Sequence, residues 1–269
     1  MKIASFNING IKARLPALLE WLERSAPDVA LLQEIKSVDA DFPSERIEAL
    51  GYHVATHGQK GFNGVAILSK APLEDVSRGL PGDESDEQAR WIEATISGQG
   101  AAIRVCGLYL PNGNPVGAPA KATSGFSEKY LYKLRWMERL EARAAALLAS
   151  EEPAVMAGDY NVIPQAEDVA RPADWRDDAL FRPESRAAFR RLLNLGFTDA
   201  VRAHQPTGER YSFWDYQAGA WRKNDGIAID HLLLTPQAAD QLRAAGVDKA
   251  VRGGEKPSDH APVWCELAL

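Results

Sequence analysis

The 269-residue sequence holds only two cysteines, Cys106 and Cys265, each inside an apolar run and without close Cys or His neighbours. That excludes a thiolate zinc site and makes both reduced core residues. No apolar stretch is long enough to span a bilayer, so no membrane partner is expected. Met1 to Asn7 pass directly into a strand-like pattern, without the apolar segment and cleavage site of a secretory signal, and a cytoplasmic protein is the expectation. Basic charge is not in surplus either: 31 Lys and Arg against 37 Asp and Glu give a net charge of -6. This argues against a protein that coats nucleic acid, whose affinity comes from counterions released by a basic surface. An enzyme that meets phosphate through a bound cation stays open. Glycine-rich dinucleotide and P-loop patterns, solenoid repeats and low-complexity tracts are all missing. Exposed heptads are missing too, and the expected state is a monomer.

What the chain does have is 45% apolar and 25% charged residues, ordinary for a protein with a substantial core. Short apolar runs at Ile3–Ile8, Val29–Gln33, Val65–Ser69, Ile103–Leu110, Ala154–Gly158, Ile229–Thr235 and Pro262–Leu269 predict strands. Helical periodicity predicts helices over Leu15–Leu22, Ser127–Leu148, Ser185–Leu195 and Gln237–Ala245. Pro111–Gly125 and Ile163–Pro183 lack either period and read as long surface loops, a class that is often functional. The interleaving predicts one α/β domain over residues 1–269, with sheets packed on each other and helices outside.

Five strands end in side chains suited to metal or phosphate chemistry: Asn7, Glu34, Tyr109, Asp159 with Asn161, and Asp230. Such ends sit on a rigid scaffold and can converge at one sheet edge. Alone, each has a plainer reading. Glu34 is more often an exposed acid opening a loop, and Gly158-Asp159-Tyr160-Asn161 is as readily an Asx turn. Ile229-Asp230-His231 and Ser258-Asp259-His260 each put Asp beside imidazole, so that one Asp could orient the other segment's His. An isolated Asp-His pair is nevertheless usually a turn.

The ordered set is far more specific than its members. Asn7-Ile8-Asn9-Gly10-Ile11-Lys12-Ala13, Leu32-Gln33-Glu34, Gly61-Phe62-Asn63-Gly64-Val65-Ala66, Leu108-Tyr109-Leu110-Pro111-Asn112, Gly158-Asp159-Tyr160-Asn161, Ile229-Asp230-His231 and Ser258-Asp259-His260-Ala261-Pro262 follow one another across essentially the whole chain. This series resembles the exonuclease III family of apurinic/apyrimidinic endonucleases. The resemblance implies a four-layered α/β sandwich, two mainly antiparallel sheets face to face with helices on both outer sides. It also implies dependence on Mg²⁺, with Mn²⁺ as substitute. The implied partner is duplex DNA with abasic sites or blocked 3′ ends, incised 5′ to the abasic site or trimmed from the 3′ end, with the protein cytoplasmic and nucleoid-associated when acting.

Residue by residue, the resemblance makes Glu34 the principal metal ligand, with Asn7 and Asp259 near the same ion or its waters. Asp159 would bind or deprotonate the attacking water, and Asn161 would hold the scissile phosphate, both within reach of the metal. His260 would donate to a non-bridging oxygen, Asp230 would keep that imidazole oriented and charged, and Tyr109 would add a donor. On the DNA side, Phe213 and Trp214 with Ile227 and Ile229 would line a pocket for a flipped abasic sugar, while Tyr211 and Tyr216 read as core. Arg90, Lys121 and Asn224 match positions that meet the DNA backbone. Two departures stand out: Ala228 where relatives commonly carry Arg, and Asn9 where the animal branch has an acid. An inositol or lipid phosphatase would use the same chemistry with other substrate loops, and a DNA-binding pseudoenzyme would lack Glu34, Asp159 or His260.

Overall fold

The apolar runs are nearly continuous because the central strands are covered on both faces, the pattern of a sheet sandwiched between layers. A computed structural model of the chain describes residues 1–98, 101–117 and 125–269. The first sheet has strand order β11-β12-β1-β2-β4-β3, where β1 is Lys2–Asn7, β2 Val29–Gln33, β3 His53–His57, β4 Val65–Ser69, β11 Leu242–Val247 and β12 Val263–Leu267. The second has order β5-β6-β7-β8-β10-β9, where β5 is Leu73–Arg78, β6 Trp91–Gly98, β7 Ala101–Tyr109, β8 Ala154–Asp159, β9 Thr198–Asp199 and β10 Asp230–Leu234. Pairing is antiparallel except β1 with β2 and β7 with β8. Both sheets are therefore mixed and mainly antiparallel.

Period-two alternation sorts the side chains into layers. Along β2, Val29 and Leu31 face the second sheet in a shared core with Ile92, Val105, Val155 and Leu232. Ala30 and Leu32 face outward, where helix α1 (Ile11–Ser25) lays Leu18, Trp21 and Leu22 on them. The second sheet's outer face, with Trp91, Cys106, Leu108 and Met156, is covered by Trp136, Met137 and Leu140 of one helix and Phe189 and Leu192 of another. In chain order these are α3 (Glu128–Ala149) and α4 (Pro183–Leu195), α2 (Ser44–Glu48) being a short turn before β3. Helix α3 starts where Ser127 accepts from the Tyr130 amide, satisfying an otherwise orphaned donor. Helix α4 has Pro183 in its first turn and stops at Gly196, whose φ of 128° suits glycine.

The helix expected over Gln237–Ala245 is not formed. A single turn, Pro236–Ala239, gives way to β11, which pairs with β12 in place of an open edge. Gly246 permits this, since a Cβ there would lie 3.1 Å from the Trp264 ring. Tertiary pairing overrides a weak local period. The Ile163–Pro183 segment is also more than a surface loop: Ile163, Val169, Ala179, Leu180 and Phe181 form a small core of their own with Ile227 and Ile229. Two 3₁₀ turns, Ala166–Asp168 and Pro172–Trp175, shape it.

Candidate active site

The site is assembled by register. Tyr109, Asp159 and Asp230 are direct neighbours across β7, β8 and β10, so all three reach the same end of the second sheet. Asn7 ends β1 of the facing sheet, and its Nδ2 donates to Asp159 Oδ2 at 3.0 Å and to Glu34 Oε1 at 3.0 Å, joining the two sheets. Its Oδ1 accepts the Asn9 amide, so the carboxamide presents its nitrogen, not its oxygen, to the carboxylates. Glu34 follows β2 at φ 50°, a left-handed conformation that side chains seldom adopt and that clusters at functional sites. Gly10 and Ile11 amides donate to the Glu34 and Ile35 carbonyls and over-determine that turn.

The closing segment supplies the remaining groups. Ser258 Oγ donates to the Asn7 carbonyl at 2.6 Å, tying Asp259 and His260 to β1. His260 Nδ1 lies 2.8 Å from Asp230 Oδ2, and Nε2 lies 3.7 Å from Asp159 Oδ2. Ser212 Oγ also donates to Asp230 Oδ2, at 2.6 Å. Of the two Asp-His segments, only this cross-pairing forms. His231 faces the opposite side of β10, against the Tyr160 and Phe189 rings, and pairs with Asp199 at 3.0 Å.

Ionisation follows from burial and company. Burial alone would depress the His260 imidazole, yet the carboxylates of Asp230, Asp159 and Asp259 hold it up to about 10, so it is a cation at neutral pH. Burial pushes the Asp159 carboxyl well above the usual carboxylate range, with Asp230 and Glu34 adding to the push and the imidazolium opposing it. Burial also raises Glu34, but the Lys36 ammonium at 2.8 Å and the Asn7 amide reverse this and keep it ionised. Burial and the Glu34 and Asp159 carboxylates hold the Tyr109 phenol in its protonated, donating form. Donor atoms of Glu34, Asp159 and His260 all lie within 4.8 Å of one another.

A cavity of about 240 Å³ opens over these groups. Glu34, Asp159, Asn161, Asp259 and His260 line it together with the apolar Trp175, Leu180, Phe213, Ile227 and Ile229. Phe213 packs edge-on to His260, with ring centroids 5.0 Å apart, because the backbone at 213 bridges both His260 and Ile227. Arg90 does not line the cavity; its guanidinium lies 4.9 Å from the ring of Tyr109, which does, and donates to the Tyr109 carbonyl. The Asn161 carboxamide is engaged at both ends, donating to the Leu110 carbonyl and accepting from Asn112.

The sequence profile of the endonuclease/exonuclease/phosphatase family matches residues 4–260. The chain belongs to that family. It is 36% identical to exodeoxyribonuclease III of Haemophilus influenzae, over 99% of this chain and all of that protein. Among solved structures, an AP endonuclease from Archaeoglobus fulgidus superposes with a TM-score of 0.90 at 37% identity, each chain fully covered. The 3′ phosphatase NExo from Neisseria, bound to a product DNA hairpin, superposes with a TM-score of 0.91 at 34% identity, again with full coverage. The four-layered arrangement is thus the fold of the family's AP endonucleases.

Not every expected residue reaches the cavity of this family member. Trp214 is buried with Tyr211 and Ala261 in a separate cluster, and of the aromatics Tyr211, Phe213 and Trp214 only Phe213 lines the cavity. Asn224 lies with Trp214, its Oδ1 accepting from the indole and from Lys249 and its Nδ2 donating to Glu209. Tyr216, expected in the core, is 48% exposed and stacks on Arg252. Lys121 lies outside the described residues. Beside Ala228 the carboxylate of Asp168 is paired by Arg202 and Arg210, so cations from elsewhere serve that spot. Asn9 donates to Asp259 Oδ1 at 2.9 Å and accepts from Lys36, a bridging role that an acid could not fill. Trp175, Leu180 and Lys36 were missed by sequence reasoning; the first two fall in the Ile163–Pro183 segment, whose aromatics and acids were the available signal.

Proposed function

We propose that this DNA repair nuclease, with residues 1–269 as one domain, incises duplex DNA on the 5′ side of abasic sites and trims nucleotides or blocking groups from 3′ ends. The observation that carries the reading is one cavity that joins the Glu34, Asp159 and His260 cluster to an apolar wall of Phe213, Ile227 and Ile229. An apolar wall of this kind suits a flipped abasic sugar, which brings no base edge to be hydrogen-bonded.

Of the clustered donors His260 is a cation with no free lone pair, so a metal would be held by carboxylate oxygen from Glu34 and Asp159, with Asp259 beside them in the lining, a set that fits Mg²⁺ or Mn²⁺ and disfavours a soft metal. Glu34 would be the principal ligand and Asp259 the second, and Asn7 orients Glu34 and Asp159 by donating to both. When bound, the cation neutralises charge on the phosphate oxygens and the departing alkoxide. Asp159, whose carboxyl burial raises to about 7, accepts the proton of the attacking water in its ionised form. His260 donates Nε2–H to a non-bridging phosphate oxygen while Asp230 keeps the imidazole charged and fixed. Tyr109 donates its phenol proton as a hydrogen bond toward the same oxygens, and Asn161, held through the Leu110 carbonyl, offers the second N–H of its amide to the phosphate. These fixed donors stabilise the charge of a pentacovalent transition state. Arg90, stacked on Tyr109, and Lys121 meet the DNA backbone. The protein acts as a monomer in the cytoplasm, on the nucleoid.

The test is incubation with Mg²⁺ and a duplex carrying one abasic-site analogue, beside undamaged duplex, inositol phosphates and a chelated control. Metal-dependent incision of the damaged duplex is the expected outcome. Cleavage of inositol phosphates but not of DNA overturns the reading.

A further inference from the structure

Helix α3 buries a stripe formed by Tyr130, Lys133, Trp136, Met137, Leu140, Ala144 and Leu147. Lys133 breaks it chemically, since an ammonium 0% exposed costs free energy that an apolar residue would not. Among the described residues no carboxylate lies within ion-pair distance of it. Its Nζ instead donates to two backbone carbonyls, Asn112 at 3.0 Å and Asn161 at 2.6 Å. Burial pushes the ammonium down to about 7, but an amine donates N–H in either protonation state, so both bonds persist.

Those carbonyls belong to the two turns that build one side of the cavity. Asn161 has a φ of 47°, a conformation that needs support. Its preceding peptide is held by Asp159 Oδ1, which accepts the Asn161 amide at 2.9 Å, and its following peptide is held by Lys133. Asn112 completes the arrangement by donating to Asn161 Oδ1 at 3.1 Å. Gly113 makes room for the lysine, because a Cβ there would fall 2.7 Å from Lys133 Cδ.

We propose that Lys133 is a positioning residue of the nuclease reaction: from outside the cavity it locks the Asn161 turn to the Asn112 turn and so fixes the Asn161 side chain. It touches neither substrate nor metal. The assignment of Asn161 to the phosphate rests on the proposed function above.

The experiment compares Lys133→Met with the unmodified enzyme and repeats the substitution in an Asn161→Ala background, with Tm recorded for each. Misplacing a group by about 1 Å costs about 100-fold, and that drop in kcat is expected with KM changed less than about threefold. In the Asn161→Ala background Lys133→Met should cost less than about threefold, since coupled residues are not additive. The same loss in both backgrounds, or unchanged kcat, overturns the proposal. Should Lys133→Met not fold, the ¹⁵N signal of the Lys133 ammonium in the unmodified enzyme decides: a shift on adding Mg²⁺ and nicked product duplex supports the role, and an unmoved signal overturns it. The assays use whichever of the abasic duplex or a 3′-phosphate end the unmodified enzyme cleaves faster, so inactivity on abasic DNA sinks the proposed substrate and leaves this test intact.

Discussion

Asp230→Ala isolates what keeps His260 charged. Asp230 is the largest favourable influence on an imidazole held at about 10 against an ordinary 6.5. That is roughly 3.5 pH units, or about 5 kcal/mol of preference for the cation at 1.36 kcal/mol per unit. Burial opposes the charge, so removing Asp230 leaves a desolvated ring with only Asp159 and Asp259 to support it. We expect the imidazole to titrate below about 7 in the variant, leaving under about a tenth protonated at pH 8. Turnover at pH 8 should fall by about 100- to 1000-fold, from lost charge and lost orientation together. At most about tenfold of this loss should return as pH is lowered to about 7, and below that the protonation of Asp159, raised by burial, lowers the rate again. Because the folded-state value in the parent is raised, its stabilisation is complete below 6.5 and disappears as pH rises through about 10. The Tm gap between parent and variant should therefore be widest below pH 6.5 and close toward pH 10. Imidazole ¹⁵N shifts in EDTA, set beside the pH–rate profile, are the assay. A ring still cationic at pH 8 in Asp230→Ala, or an unchanged kcat, refutes the reasoning.

Asp159→Asn should abolish cleavage and leave DNA binding largely intact by gel shift. Since burial raises the Asp159 carboxyl, ionisation weakens the metal-free fold as pH rises from 3.8, and the variant should gain Tm over the parent at pH 8 but not at pH 4. Phe213→Ala removes the apolar wall beside His260, and kcat/KM for abasic duplex should drop about tenfold with little change in Tm. Gly158→Ala would put a Cβ 1.9 Å from the Leu108 carbonyl oxygen in the middle of the second sheet. Calorimetry should show a loss of about 3 kcal/mol or more.

Much of this arrangement was legible because motifs sat at strand ends. Val29–Gln33 and Val65–Ser69 appear in the structure with the bounds read from sequence, as unbroken apolar runs with turn residues on either side. Strands β5 and β6 were not legible for a different reason in each case. Leu73–Arg78 is an edge strand with mostly exposed polar residues, and Trp91–Gly98 hides Glu93, whose charge is matched only by Arg143 and Arg104 from distant positions. No local window contains that compensation. The same limit concealed Lys133, which looks like a solvated helix lysine until its two carbonyl partners are seen. Trp214 was misplaced because sequence does not say which of two adjacent aromatics faces the cavity.

The most direct test of the central claim, that one metal-dependent site joins Glu34, Asp159 and His260 to the abasic pocket, is single-turnover cleavage of an abasic duplex in ¹⁸O-labelled water across a Mg²⁺ titration. We predict metal-dependent incision on the 5′ side, with one ¹⁸O in the phosphate of the abasic sugar and the metal response shifted to higher concentration in Glu34→Gln but not in His260→Asn. Cleavage that persists in EDTA, or a metal response moved equally by both substitutions, would contradict the account.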